Sequence, residues 1–216
     1  MKFKSLNILL IFNILLLSIS LVLKKSNNNI LYGKVIVIDP GHGGNDNGAE
    51  VNNVLEDEIN LNIAKLLYQK LFDQGCIVHI TRVGDYDLAP QDSQTRKMKD
   101  LKRRTRFINE VDADLFISIH LNSYPSENVS GPMVYYKKDN EVSYELGCSI
   151  LNKLNLLTDN KKKVKTDDFY LFKYTDIPGV IVECGFITNS KERELLLDNR
   201  YQNMISKAIF EWIRKI

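Results

Sequence analysis

Three residues suited to metal binding or acid–base chemistry follow short apolar runs in this 216-residue chain. His42 comes after VIVIDPG, His120 directly after LFISI, and Glu183 directly after VIV. Runs of this kind, rich in β-branched residues, predict strands that are buried on both faces. Because ligand sites in α/β sheets gather beyond the carboxyl ends of strands, we expect these three side chains to lie close together.

Glu56 is a fourth candidate, in the first turn of a predicted helix that follows the loop after His42. Two imidazoles and one carboxylate leave one tetrahedral position of Zn²⁺ open for water, which is the pattern of catalytic zinc sites. His42, Glu56 and His120 are therefore candidate ligands of one zinc ion. Glu183 is the candidate general base, outside the ligand set.

Each candidate also has a purely structural interpretation. Glycines surround His42, as in an exposed turn, and His120 could simply end a strand. The acidic run that begins at Glu56 could complement the positive end of a helix dipole. A carboxylate between Val-Ile-Val and Cys-Gly-Phe, however, is costly to bury without a charged partner, so Glu183 favours a functional site.

Alternating strand and helix patterns position these candidates. Strands are predicted at residues 35–38, 76–81, 115–119, 133–136 and 180–182, and helices at 55–72, 92–111 and 141–155, with two closing helices in 190–216. An apolar segment covers residues 169–172. His79 lies within the second strand rather than at its end and is assigned to packing or to a sheet face. The alternation predicts an α/β fold, a single three-layer domain with a mostly parallel sheet flanked by helices.

The composition is that of one globular domain, with 44% hydrophobic and 26% charged residues. A formal net charge of +2 produces no strong electrostatic field, so the composition offers no argument for a nucleic-acid partner. The three cysteines have neither CxxC nor CxxH spacing and indicate neither a zinc finger nor a disulfide framework.

The N-terminal segment Leu6–Leu23 is uncharged and rich in Leu and Ile. It is long enough to cross a bilayer core, for which roughly 17 to 25 residues are needed. Because SLVLKKSNNN offers no A-x-A-like cleavage site, we predict an uncleaved transmembrane anchor. Residues 1–30 are assigned to this membrane anchor and a short polar linker, and residues 31–216 to the catalytic domain. Basic residues flank the segment on both sides, so charge alone leaves its orientation open.

Four segments occur in order along the chain: VIVIDPGHGG, LEDEINL, FISIHLNS and VIVECGFITN. Together they resemble the signature segments of the zinc-dependent N-acetylmuramoyl-L-alanine amidases of the third amidase family. The resemblance runs from about Lys34 to the C-terminus. It implies hydrolysis of the amide between N-acetylmuramic acid and L-alanine in peptidoglycan, with one zinc ion as cofactor.

The resemblance carries the family's roles over residue by residue. His42, Glu56 and His120 would be the zinc ligands, and Glu183 would be the catalytic glutamate. Glu56 is chosen over its acidic neighbours because the family's ligand lies five residues before the leucine of an NL pair, here Leu61. Departures from the family pattern are small and fall on the two residues after GHGG and on the cysteine after Glu183.

An anchor and a minimal catalytic domain, together with GPMVYYKKDN and YLFKYTDIPGVIVECGF, resemble the membrane-anchored, germination-specific amidases of endospore formers that act on spore cortex. This resemblance implies removal of stem peptides before muramic δ-lactam formation by a separate deacetylase. Some members of that group need an accessory lipoprotein as a partner. The catalytic domain would lie on the extracytoplasmic side, where peptidoglycan is found.

Two other functions remain open from the sequence. A zinc peptidase acting on wall peptides is disfavoured because the chain has no HExxH, and His42 does not begin an HxxE. A catalytically inactive, membrane-anchored peptidoglycan-binding protein is disfavoured by the complete ligand set together with Glu183.

Overall fold

The computed structural model describes residues 11–18, 31–158 and 161–213. In chain order the elements are α1 (residues 11–18), β1 (Val35–Pro40), β2 (Glu50–Val51), β3 (Val54–Leu55), α2 (Glu56–Phe72), β4 (Ile77–Ile80), α3 (Arg96–Glu110), β5 (Leu115–Asn122), β6 (Met133–Tyr136), α4 (Glu141–Thr158), α5 (Tyr170–Tyr174), β7 (Gly179–Phe186), α6 (Ser190–Leu197) and α7 (Asn199–Ile213).

A five-stranded sheet in the order β4-β1-β5-β7-β6 forms the middle layer. β4, β1, β5 and β7 run parallel, and β6 pairs antiparallel with β7 at one edge. The predicted mostly parallel sheet is therefore confirmed. A separate two-stranded ribbon, β2-β3, was not predicted, because strands of two residues are too short to show a periodicity.

Helices cover both faces of this sheet, which confirms the predicted three-layer α/β architecture. Successive residues of β1 point to opposite faces. Ile36 and Ile38 pack in one hydrophobic cluster with α2, α4 and α7, and Val37 packs in a second cluster with α3 and α5. All three side chains are completely buried. This two-sided burial explains why β1 has a continuous rather than an alternating apolar sequence.

The structure corrects several predicted boundaries. Helix α3 begins at Arg96 rather than at residue 92, and the apolar segment at 169–172 leads into the short helix α5. Strands β5 and β7 continue to Asn122 and Phe186, so His120 and Glu183 lie inside strands rather than just beyond them. The reason is that β5 and β7 remain paired there, with His120 opposite Glu183.

The predicted anchor Leu6–Leu23 lies mostly outside the described residues. Its described part, residues 11–18, is helical with exposed side chains. Within the three described ranges, no helix combines the length and the apolar character needed to cross a membrane. The division into residues 1–30 and 31–216 stays a prediction.

Candidate metal centre

His42 lies in the tight turn that leaves β1. Its φ of 61° is in the left-handed region, which is uncommon for residues other than glycine. Two hydrogen bonds hold this turn: Arg104 Nη2 donates to the His42 carbonyl oxygen at 2.7 Å, and the Gly43 N–H donates to the Asp46 carbonyl oxygen at 2.8 Å. The ring nitrogen Nδ1 lies 3.1 Å from Asp46 Oδ2, and the other nitrogen, Nε2, lies 3.3 Å from Glu56 Oε1. The turn therefore points Nε2 at Glu56.

Glu56 is the first residue of α2, and its side chain is buried. Its Oε2 accepts a hydrogen bond from the Ala49 N–H at 2.8 Å, and its Oε1 accepts one from the Leu121 N–H at 3.1 Å. Burial would raise the pKa of this carboxyl, but hydrogen bonds with the His120 and His42 rings hold that pKa far below its usual range. Glu56 is therefore ionised and held in a fixed orientation.

His120 completes the group from β5. Its Nδ1 lies 3.1 Å from Glu56 Oε1, and its ring centroid lies 5.0 Å from that of His42, with the two rings nearly perpendicular. Gly41 makes room for this ring, since a Cβ at Gly41 would lie 2.1 Å from His120 Cε1. The ligand atoms of His42, Glu56 and His120 all lie within 4.8 Å of one another. The structure thus brings the three predicted ligands together.

This donor set fits a zinc ion. Two imidazole nitrogens and one glutamate oxygen form the His₂Glu set found in catalytic zinc sites. Asp46 contacts the second ring nitrogen of His42, as carboxylates that orient metal-binding histidines do. At Gly48, whose φ is 69°, a Cβ would lie 2.5 Å from Glu56 Oε2, so the absence of a side chain keeps the ligand's surroundings open.

Glu183 lies next to this group, opposite His120 in the β5–β7 pairing. Its Oε2 is buried and has no hydrogen-bond partner among the described residues. Burial raises the pKa of the Glu183 carboxyl to about 7, against a lowering by the nearby His120. A carboxyl with a pKa near neutrality can both accept and return a proton at physiological pH.

His79, the remaining histidine, lies away from this group. It is in β4, and its ring packs edge-to-face with Phe107 at a centroid distance of 6.3 Å. Its assignment to packing is confirmed.

The metal-binding group lies in a cleft with a volume of about 360 Å³. Leu101 of α3 and Phe169 and Leu171, at the start of α5, contribute apolar surface to it. Lys97 and Asn122 contribute polar groups. The cleft therefore offers both apolar and charged surface next to the candidate ligands.

Several supporting residues could not be assigned a role from the sequence: Asp46, Asn60, Arg82 and Arg104. Asn60 Nδ2 donates to Glu56 Oε1 at 3.2 Å, and the four-residue spacing on one helix was the available signal. Arg82 and Arg104 are almost completely buried, although Arg82 follows a predicted strand at the start of a polar loop and Arg104 belongs to a basic stretch that is typical of solvated surface. Nothing in the local sequence distinguishes them from exposed arginines.

Comparisons with known proteins agree with this geometry. Residues 36–215 match the family model described as N-acetylmuramoyl-L-alanine amidase, Amidase_3. The chain is 36% identical over 188 residues to the germination-specific N-acetylmuramoyl-L-alanine amidase of Bacillus subtilis (strain 168). The aligned region covers 85% of this chain and 79% of the relative.

Two solved structures are similar as well. The CwlD amidase from Clostridioides difficile, in complex with the GerS lipoprotein, is 38% identical with a TM-score of 0.81, over 85% of this chain and 98% of that one. The N-acetylmuramoyl-L-alanine amidase from Clostridium difficile 630 is 28% identical with a TM-score of 0.75, over 84% and 95% of the two chains. The fold is that of the peptidoglycan amidases. The chain belongs to the N-acetylmuramoyl-L-alanine amidase family, which confirms the resemblance found in the sequence.

Proposed function

We propose that the protein removes stem peptides from peptidoglycan by zinc-dependent hydrolysis of the amide between N-acetylmuramic acid and L-alanine. The observation that carries this proposal is the approach of the ligand atoms of His42, Glu56 and His120 to within 4.8 Å of one another. The buried, unpartnered Oε2 of Glu183 next to them supports an acid–base step at the same place. Family membership supports the choice of bond.

The zinc ion and the side chains of the protein would have separate roles in the reaction. When bound by His42, Glu56 and His120, zinc would supply Lewis-acid chemistry, lowering the pKa of a water toward roughly 7 and polarising the scissile carbonyl. Glu183 accepts the proton of the attacking water at its unpartnered Oε2 and delivers it to the departing alanine nitrogen. Burial raises the pKa of the Glu183 carboxyl and so favours its protonated form once it has accepted the proton.

The surroundings keep these groups in place. Backbone N–H groups of Ala49 and Leu121 hold both oxygens of Glu56, so that this carboxylate needs no reorientation during the reaction. The apolar surface contributed by Leu101 and Leu171 lowers the local dielectric constant, which strengthens charge interactions and hydrogen bonds in the cleft.

We further propose that this activity serves the spore cortex, where removal of stem peptides precedes muramic δ-lactam formation. The relative named as germination-specific supports this role. The complex of the similar CwlD amidase with a lipoprotein supports an accessory lipoprotein as a partner. In this proposal the segment Leu6–Leu23 anchors the catalytic domain, residues 31–216, to the membrane on the extracytoplasmic side, where the substrate lies.

The test is mass spectrometry of peptidoglycan digested by the full-length, detergent-solubilised, zinc-loaded protein. We expect intact stem peptides that begin with L-alanine, together with glycan strands whose N-acetylmuramic acid residues carry a free lactyl carboxyl group. His120→Ala should abolish these products and zinc retention, whereas the matched variant His79→Ala should affect neither. Cleavage within the stem peptide would instead indicate a zinc peptidase. Binding of strands by the zinc-loaded protein without any product would indicate an inactive wall-binding protein.

A further inference from the structure

Lys97 is the one lysine or arginine that lines the cleft within the described residues. It lies in the first turn of α3, one turn before Leu101, which lines the same cleft. Its side chain is 74% exposed, so its ammonium group is accessible to a ligand that enters from solvent.

The ammonium group of Lys97 has no close partner in the part of the chain that the structure describes. Its one carboxylate neighbour there is Asp46, whose Oδ2 lies 4.0 Å from Lys97 Nζ, too far for a hydrogen bond. Asp46 is already engaged, because its Oδ2 lies 3.1 Å from His42 Nδ1 and its Oδ1 accepts a hydrogen bond from the Gly48 N–H. The three N–H donors of Lys97 are therefore available to a ligand.

The arginines of the same helix are engaged within the protein. Arg96 pairs with Asp87 at 2.7 Å, and Arg104 is buried against two aspartates. Arg106 pairs with Glu110, also on α3, and Arg103 Nη1 donates to the Leu88 carbonyl oxygen at 2.8 Å. Lys97 differs from them because it faces the cleft and has no partner at hydrogen-bonding distance among the described residues.

Lys97 is also close to the proposed metal ligands. Asp46 Oδ2 lies 4.0 Å from Lys97 Nζ and 3.1 Å from His42 Nδ1. Because both distances are measured from the same oxygen, their total is the largest possible separation of the two nitrogens. Nδ1 is the ring nitrogen on the side of His42 away from Glu56, so Lys97 lies behind the His42 ring. Lys97 and the three candidate ligands nevertheless line one cleft, so a substrate group that closely follows an amide held at the metal centre can meet Lys97.

The proposed substrate has an anion at that position. In peptidoglycan, L-alanine is followed by a D-glutamyl residue that continues the peptide through its side chain, which leaves its α-carboxyl group free or amidated. We propose that Lys97 binds this α-carboxylate, so that the stem peptide runs from the metal centre toward α3. Asp46, Glu56 and Glu183 would otherwise repel the carboxylate. The available ammonium group of Lys97 therefore favours the orientation in which the stem peptide runs toward α3. This inference rests on the proposed function and adds the substrate group that the cleft recognises.

The experiment compares two synthetic muropeptides that differ only at this group, one with a D-glutamyl α-carboxylate and one with an α-carboxamide. The full-length protein should have a KM about 3- to 10-fold lower for the carboxylate, as expected for one partly exposed charge-assisted contact. Lys97→Met, which keeps an unbranched side chain one atom shorter and removes the charge, should raise the KM for the carboxylate to that for the carboxamide. Its kcat and zinc content should stay within about twofold of the parent values, because a contact made equally in ground and transition states affects KM alone.

Lys99→Met is the matched control, since Lys99 is an exposed lysine of the same helix that does not line the cleft. It should retain the preference for the carboxylate. Equal cleavage of both substrates by the parent protein, or an unchanged preference in Lys97→Met, would overturn the assignment of Lys97 and leave the proposed function standing. Release of stem peptide from neither substrate by the zinc-loaded parent would overturn both.

Discussion

The contact between His42 and Asp46 determines which nitrogen of the imidazole is free to bind a metal. Asp46 Oδ2 lies next to Nδ1 and therefore favours the tautomer that carries its proton there. In that tautomer Nε2, which faces Glu56, would be the nitrogen that takes a metal ion. A carboxylate on the second ring nitrogen also makes an imidazole a stronger ligand.

We expect Asp46→Ala to weaken zinc binding about 10- to 100-fold, because His42 loses the group that orients its ring and sets its tautomer. Competition with a chromophoric chelator measures this affinity directly. Asn45→Ala removes an exposed neighbour from the same turn and should leave the affinity unchanged. Equal zinc affinities of both variants and the parent would show that the backbone alone orients His42.

Glu183→Gln separates the proton-transfer role from metal binding. The amide has nearly the same size but cannot take a proton, so turnover should fall by at least about 10²-fold, the lower end of typical general-base contributions. Zinc content, from elemental analysis, should stay close to that of the parent. Near-normal turnover would place the base elsewhere, and loss of zinc would make Glu183 a ligand. Glu194→Gln, at an exposed position of α6, is the control and should be fully active.

At the scale of elements, one buried ion pair joins α3 to β1 directly before the metal-binding turn. Arg104 Nη1 lies 2.7 Å from Asp39 Oδ1, and Asp39 also accepts hydrogen bonds from the hydroxyls of Thr81 and Ser118. The same guanidinium donates to the His42 carbonyl oxygen. One side chain therefore contributes both to the packing of α3 on the sheet and to the position of a candidate ligand.

This pair makes stability depend on pH. Burial would raise the pKa of Asp39, but Arg104 and the two hydroxyls hold that pKa below its model-peptide value of 3.8. A carboxyl with a lowered pKa in the folded state stabilises the fold fully above its unfolded-state pKa, and this contribution is lost as the pH falls through the folded-state pKa. We therefore expect the free energy of unfolding, measured with urea, to decrease progressively below about pH 4.

Asp39→Asn should reduce this acid dependence and lower the free energy of unfolding at pH 7 by about 3 to 5 kcal/mol, because the charge of Arg104 loses a buried partner. Glu110→Gln, which breaks the exposed pair with Arg106 on the same helix, should cost about 0.5 kcal/mol or less. An Asp39→Asn protein as stable as the parent at pH 7, with the same acid dependence, would contradict this account.

Elements buried on both faces could be predicted from sequence. The runs VIVI in β1 and VIV in β7 are continuous because helices cover both sides of the sheet. The meeting of His42, His120 and Glu183 followed from parallel strands whose carboxyl ends share one edge. The resemblance to the amidase family then selected Glu56 from three adjacent acidic residues.

Other features depend on contacts that local sequence does not encode. The antiparallel direction of β6 is set by its pairing with β7, which lies far along the chain. Arg82 and Arg104 are buried because their hydrogen-bond acceptors, the Pro40 carbonyl oxygen for Arg82 and Asp39 for Arg104, come from a distant segment. The extension of β5 past His120 likewise depends on a neighbouring strand. Each of these features depends on contacts between segments that are distant in the chain, so no single stretch of sequence predicts it.

At the scale of the whole molecule, we expect the full-length protein to fractionate with membranes. The uncharged segment Leu6–Leu23 motivates this prediction, since it is long enough to span a bilayer core. Intact-mass measurement of the membrane fraction should show an unprocessed N-terminus, and a variant lacking residues 1–30 should be recovered in the soluble fraction. A soluble product of the full-length gene that begins near Lys24 or Lys25 would mean that the segment is a cleaved signal peptide.

The pairing of β5 with β7 has a consequence for how this protein can diversify. His120 and Glu183 are adjacent because two strands are in register, whatever the length of chain between them. Insertions or deletions around α4 therefore leave their separation intact, whereas a slip of one residue would turn Glu183 to the opposite face of the sheet. The His120–Glu183 pair is therefore insensitive to the length of the chain between β5 and β7. Loops at the rim of the cleft can be remodelled to accept different cell-wall strands while the reaction geometry stays constant.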